Sequence, residues 1–179
     1  MRFGSLAHAL AATRAAQSRV VAEPRAVDHL QAIRMAMRHS LRANALDRPL
    51  VATSEALLDY LRLELVAERA EQFRVLFLDV NNALLLDLVL SRGSPTEVPI
   101  YPREVVRHAL EVGATAVILV HNHPSGDPTP SEQDVRITHL IQAAAALFEL
   151  HVHDHVVIAG DGWSSLAALG LLRDQPMAA

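Results

Sequence analysis

Apolar residues recur along this chain with two different periods, and the two alternate. Between residues 25 and 43, Ala26, Leu30, Ile33, Met37 and Leu41 return every three to four positions, the spacing of one helix face. Asp47 and Pro49 sit in a break over 44–52, and Thr53 or Ser54 then caps a second helix ending near Val66. Residues 72–80 are short and dense in Val, Leu and Phe, which predicts a buried strand, and Asn81 with Asn82 makes a hairpin turn into a strand over 83–91. Residues 92–99 are rich in turn formers. Pro102 suits the first position of a helix ending at Glu111 or Val112, with Gly113 as its left-handed exit. A continuous apolar strand over 114–120 stops at His121, and a loop of Pro124, Ser125, Gly126, Asp127 and Pro128 follows, closed by Pro130. Ser131 opens a long helix to about Leu147; a strand over 151–159, a turn at 160–162 and a short last helix complete the pattern. Strands alternating with helices predict an α/β layered domain around a largely buried sheet.

Composition narrows the chemistry. Cysteine is absent, so disulfides and thiolate chemistry are excluded and any metal must sit on His and carboxylate. No apolar run approaches the ~18 residues of a membrane span. His8 and Thr13 interrupt the apolar N-terminus, which makes a poor signal peptide; its scattered arginines faintly resemble a transit peptide, and a cytoplasmic protein is the expectation. Charge is uneven: residues 1–50 hold eight Arg against Glu23, Asp28 and Asp47, whereas residues 51–179 hold eight Arg against seventeen acids. A basic head on an acidic body points either to nucleic-acid contact by the head or to docking of head on body, and the second is favoured.

The informative segment runs from His121-Asn122-His123 through the Pro/Gly loop to Ser131 and Asp134. Side chains two apart on an extended segment point to one side, so His121 and His123 can face one ion from a strand end. Asp134 lies three residues after Ser131, in the first turn of the next helix. Two imidazoles and a carboxylate leave a tetrahedral zinc ion one open position for water, the arrangement of a catalytic site. Ser131 and Asp134 also form a respectable capping pair at a helix start. His151, His153 and His155 alternate along a predicted strand, so all three can line one face and make a second metal site.

His-x-His, seven residues, Ser, two residues, Asp is the signature of the JAMM (MPN-plus) metalloproteases. Tyr101-Pro102-Arg103-Glu104, the run from Ala116 through His121-Asn122-His123-Pro124-Ser125-Gly126, and Asp154-His155 resemble the RadC branch in particular, over residues 71–172. The resemblance implies a layered αβα JAMM/MPN domain, cytidine-deaminase-like with a mixed sheet, over 51–179. It implies Zn2+ held by His121, His123 and Asp134, with Ser131 stabilising the oxyanion. The family's upstream Glu, which deprotonates the water, falls on Glu71 at the start of the predicted strand, with Glu68 nearby as the competing position. Asp154 and His155 become a structural or supporting pair. The implied activity is hydrolysis of an amide bond in a peptide or protein through a zinc-bound water, metallopeptidase or isopeptidase in kind.

RadC proteins usually begin with paired helix-hairpin-helix units that bind DNA backbone. The segment from Phe3 through the helix over 25–43 resembles the second unit alone, and Ala22-Glu23-Pro24-Arg25 stands where the hairpin glycines belong. A Gly-poor turn with a Glu offers fewer amides to a phosphate and repels it, so nucleic-acid binding by residues 1–50 is not favoured. Two other functions remain open: a DNA-associated repair or mobile-element factor whose metal is structural or differently used, and a metal-bound interaction module without turnover.

Overall fold

The computed structural model describes residues 9–10, 12–46, 55–65, 68–93, 100–160 and 162–174. The expected features at Phe3, Asp47, Pro49, Thr53, Ser54, Val66 and residues 94–99 lie outside them. Among the described residues, α1 (Arg14–Ser18) and α2 (Pro24–Leu46) precede α3 (Glu55–Leu65). There follow β1 (Gln72–Leu78), β2 (Leu84–Arg92), α4 (Pro102–Val112), β3 (Ala116–Asn122), α5 (Glu132–Ala146), β4 (His151–Ala159) and β5 (Gly162–Ser165).

The strands form one mixed sheet in the order β2-β1-β3-β4-β5. β3 and β4 run parallel and the remaining neighbours antiparallel. The parallel pair needs a crossover, and α5 supplies it. β1 and β3 are buried along their whole length, the reason their sequences read as continuous apolar runs rather than alternating ones. Side chains on one face, including Leu76, Ile118 and Val120, pack against Leu57, Leu61 and Leu65 of α3. Those on the other, including Val75, Phe77 and Leu119, pack against Val105 and Ala109 of α4 and Ile141 and Ala145 of α5. The result is the expected helix–sheet–helix layering. Among the described residues no helix is long and apolar enough to cross a membrane.

Three local expectations are corrected. β3 does not stop at His121 but runs through Asn122, because β4 continues the ladder: His121 pairs with Val157, Asn122 with Ile158, and the His123 N–H donates to Ile158 O at 2.8 Å. The segment after the Gly160 turn begins as β5 rather than as a helix, pairing Trp163 with Ile158 and laying the indole on the α3-side core. The third concerns the His triplet of β4. A register shift opposite Val117 and Ile118 leaves His153 without a ladder partner, and a one-residue slip exchanges sheet faces. His151 and His153 stay together, their rings 5.0 Å apart, while His155 pairs with Leu119 and turns toward α5.

The basic head rests on the body. Leu41 of α2 packs on the α3-side core, and Arg38 faces Glu64 of α3 at 3.5 Å. Two positions of the predicted α2 stripe, Ile33 and Met37, are exposed, while Val27 is buried. Glu64 also reaches Arg74 of β1 at 3.4 Å, and Arg74 meets Asp87 of β2 at 2.8 Å. Tyr60 donates to the same Asp87 oxygen at 2.5 Å. Burial, then Asp87, pushes the Tyr60 hydroxyl well above its ordinary pKa. Burial works against the Arg74 charge, but Asp87, Tyr60 and Glu64 outweigh it. Removing Asp87 takes the nearer carboxylate from the buried Arg74, which keeps only Glu64 at 3.4 Å, and strips Tyr60 of its acceptor. Asp87→Ala is therefore expected to lower stability by about 3–5 kcal/mol, read as a fall in the urea midpoint at unchanged slope. A loss below about 1 kcal/mol would mean that Glu64 alone suffices to hold the Arg74 charge.

Candidate metal centre

Three strand ends and one helix start meet at the carboxyl end of β3. The antiparallel register pairs Phe73 with His121, so the chain just before β1 runs alongside His123. Asn122, between the two imidazoles, is buried and holds that neighbouring segment. Its Oδ1 accepts from Gln72 N at 2.7 Å, and its Nδ2 donates to Ala70 O at 3.2 Å and Glu68 O at 3.5 Å. The loop after His123 turns through Gly126 at φ 86°, a conformation open to glycine at no steric cost. Ser164 of β5 donates to Pro128 O at 2.6 Å and fixes the far side of that loop. Ser131 then caps α5, giving and receiving the bonds of a capping box with Asp134.

These supports bring His121, His123 and Asp134 together, with one potential ligand atom from each lying within 4.8 Å of the others. Asp134 Oδ1 is 3.2 Å from His121 Nε2, and Asp134 Oδ2 is 3.4 Å from His123 Nε2. The two Nε2 atoms are 2.8 Å apart. A tetrahedral zinc site with bonds of ~2.0–2.1 Å has ligand–ligand edges of about 3.3 Å. Each imidazole stands at about that edge from one oxygen of the Asp134 carboxylate, and the two nitrogens reach it by opening about half an ångström. His123 Nδ1 lies 2.8 Å from Asp127 O. A carbonyl can only accept, so Nδ1 carries the proton there and Nε2 of the neutral ring presents its lone pair to the cluster. Lone pairs and a carboxylate converging this closely call for a cation. The residues fit a small divalent ion with nitrogen and oxygen preference.

Electrostatics agree. Burial alone would raise the Asp134 pKa, yet the contacts with His121 and His123, then the His121 charge and Ser131, hold it well below the usual carboxylate range. The contact with Asp134 raises His123 against the opposing effect of burial, helped by Asp127 O and by the charges of Asp134 and Glu71. Burial, then the His121 charge, pushes His155 well below its ordinary value, so that ring is neutral.

Of the residues singled out in the sequence, His121, His123, Asp134 and Ser131 come together and Glu71 stands at their margin. Ser131 Oγ is 2.7 Å from Asp134 Oδ2 and accepts from Asp134 N at 3.2 Å, so its capping role is realised. His151 and His153 lie elsewhere; His153 Nε2 pairs with Asn82 Oδ1 at 2.6 Å. His121, His123 and Asp134 are the one metal-capable group among the described residues. Asp154 and His155 separate in role. Asp154 accepts from Ser165 Oγ at 2.5 Å and Ala167 N at 2.9 Å and ties down the end of β5, whereas His155 contacts His121. Sequence reading missed Thr138 and Asn122. Thr138 stands four residues after Asp134, on the same helix face, and that spacing was a usable signal. The Asp127 carbonyl left none.

A mixed α/β domain with a buried His-His-Asp group where a parallel strand meets a helix start defines a JAB-type domain. Residues 51–171 match the family of RadC-like JAB domains, and the chain belongs to that family. It is also similar to the UPF0758 protein of Rhodobacter capsulatus, 46% identical over 171 residues that span 95% of this chain and 80% of that one.

Proposed function

We propose that this protein is a zinc-dependent hydrolase that cleaves an amide bond in a peptide or protein, in the manner of a metallopeptidase or isopeptidase. The observation that carries the reading is the convergence of His121, His123 and Asp134, each of which brings one potential ligand atom to within 4.8 Å of the others. His121 and His123 would hold the ion as neutral imidazoles, with Asp134 as the carboxylate ligand, and zinc there would supply an acidified water and a Lewis acid for the carbonyl oxygen. Glu71 acts as general base, taking a proton from the attacking water onto a carboxylate oxygen and delivering it to the leaving amine nitrogen. Ser131 Oγ turns its hydrogen from Asp134 toward the substrate carbonyl oxygen as negative charge builds there, while still accepting from Asp134 N. The chemistry belongs to residues 51–179, against which α2 packs through Leu41 and Arg38, and nucleic-acid contact by residues 1–50 is not favoured.

The test is a library of peptides and isopeptide-linked conjugates offered to the zinc-loaded protein. Cleavage is expected, lost on chelation and restored by added zinc. Stoichiometric zinc with no cleavage anywhere in the library would reduce the protein to a metal-bound interaction module.

A further inference from the structure

His121 is held from behind by groups that no part of the proposed reaction uses. Its Nδ1 lies 2.8 Å from His155 Nε2, and His155 Nδ1 lies 2.6 Å from Thr138 Oγ1. Thr138 Oγ1 in turn lies 2.6 Å from the backbone oxygen of Asp134. His155 and Thr138 are both fully buried, and Phe73 presses on the His155 ring edge-to-face at 5.4 Å.

The direction of every proton in this chain follows from its last acceptor. A carbonyl oxygen can only accept, so the Thr138 hydroxyl donates to Asp134 O and turns lone pairs toward His155. His155 Nδ1 therefore carries the hydrogen, and the neutral ring offers a lone pair at Nε2. His121 Nδ1 must then donate to it, and His121 Nε2 is left as a lone pair aimed into the cluster. The path starts behind one ligand on β3, crosses β4 and ends on the backbone of the other ligand on α5. We propose that His155 and Thr138 are positioning residues that set the tautomer and ring orientation of His121 and couple the strand and helix arms of the metal site. The assignment rests on the metal-site reading above.

Partners behind a metal-bound imidazole affect affinity because they determine which nitrogen is free and keep the ring in place. An uncharged imidazole in this role is a weaker acceptor than a carboxylate, so it orients His121 without placing a negative charge in the core. His155→Phe keeps bulk and aromatic packing and removes the acceptor. His155→Gln retains an amide oxygen that can stand where Nε2 stood. Thr138→Val keeps shape and removes the link to Asp134.

Zinc affinity by chelator competition at neutral pH should fall about 10–100-fold in His155→Phe and less in Thr138→Val, with most of the loss recovered in His155→Gln. Circular dichroism and thermal melting establish that each variant is folded. If His155→Phe does not fold, Thr138→Val and His155→Gln still order the affinities. Wild-type affinity in folded His155→Phe, or in Thr138→Val when His155→Phe fails to fold, overturns the proposal. The second readout is the ring 15N spectrum of His121 in the metal-free wild type, which should show hydrogen on Nδ1 and a bare Nε2. A hydrogen found on Nε2 overturns the relay. Should the wild type bind no zinc at all, the metal reading fails, and the same spectrum still decides the relay.

Discussion

Replacing His121 with alanine is expected to take the protein from one zinc ion per chain to none that survives gel filtration, with the fold retained. Zinc sites with four protein ligands bind with roughly 10–16 kcal/mol of apparent free energy at neutral pH, about 2.5–4 kcal/mol per ligand. Losing one of three ligands then costs on the order of 10²–10³-fold in affinity. Nothing in the cluster can substitute for it. His123 is held by Asp127 O, and Asp134 by both Ser131 N and Ser131 Oγ, at 2.7–2.8 Å in each case. The control is His151→Ala, which removes a histidine of the β4 triplet that the strand's register shift turns away from the site. It should keep its zinc. Metal analysis of the two variants beside the wild type separates them. Retained zinc in His121→Ala, or lost zinc in His151→Ala, would put the metal somewhere other than the end of β3.

The second large effect is expected at Glu71. Glu71→Gln preserves shape and hydrogen bonding but cannot take a proton, so amide hydrolysis should fall about 10²–10⁴-fold while bound zinc is unchanged. The loss should appear in kcat, with KM little affected, because the carboxylate acts on the water rather than on substrate binding. Two observations single out Glu71 over Glu68. Glu71 immediately precedes Gln72, whose N–H bonds the Asn122 side chain next to His123 in the chain, and the Glu71 charge contributes to the raised His123 pKa. Glu68 has its backbone oxygen on Asn122 Nδ2 and lies three residues further from β1. Glu68→Gln is accordingly expected to retain full activity. The reverse pattern, with Glu68→Gln inactive and Glu71→Gln active, would move the base one helical turn back along the chain.

Much of the fold was legible because its signals are local. Pro102 begins α4 and Gly113 ends it at φ 71°, as the preferences of a rigid φ and of a missing Cβ require. The Asn81-Asn82 turn closes β1 onto β2, with Asn82 at φ 59° and Asp79 Oδ1 accepting from both Asn81 N and Ala83 N at 2.8 Å. The candidate metal group was legible for the same reason. His121, His123 and Asp134 belong to one strand–loop–helix unit, so strand alternation and a helix cap almost suffice to aim them at a common point. β5 was not legible. Residues Gly162–Ser165 have no helical or strand period of their own, and they form a strand because the edge of β4 offers them one.

The chain's own sequence thus determined the elements, the layering and the identity of three converging side chains, since each depends on neighbours within a few positions. Tertiary structure alone decided what stands behind and beside them. His155 reaches His121 from 34 positions away only because a register shift in β4 turns it to the α5 face, and no period in the sequence announces that slip. The approach of the segment before β1 to Asn122 is likewise a matter of how β1 registers against β3. Contacts between strands are set by packing the whole sheet at once, and a single-residue shift that leaves every local preference satisfied would exchange which side chains meet.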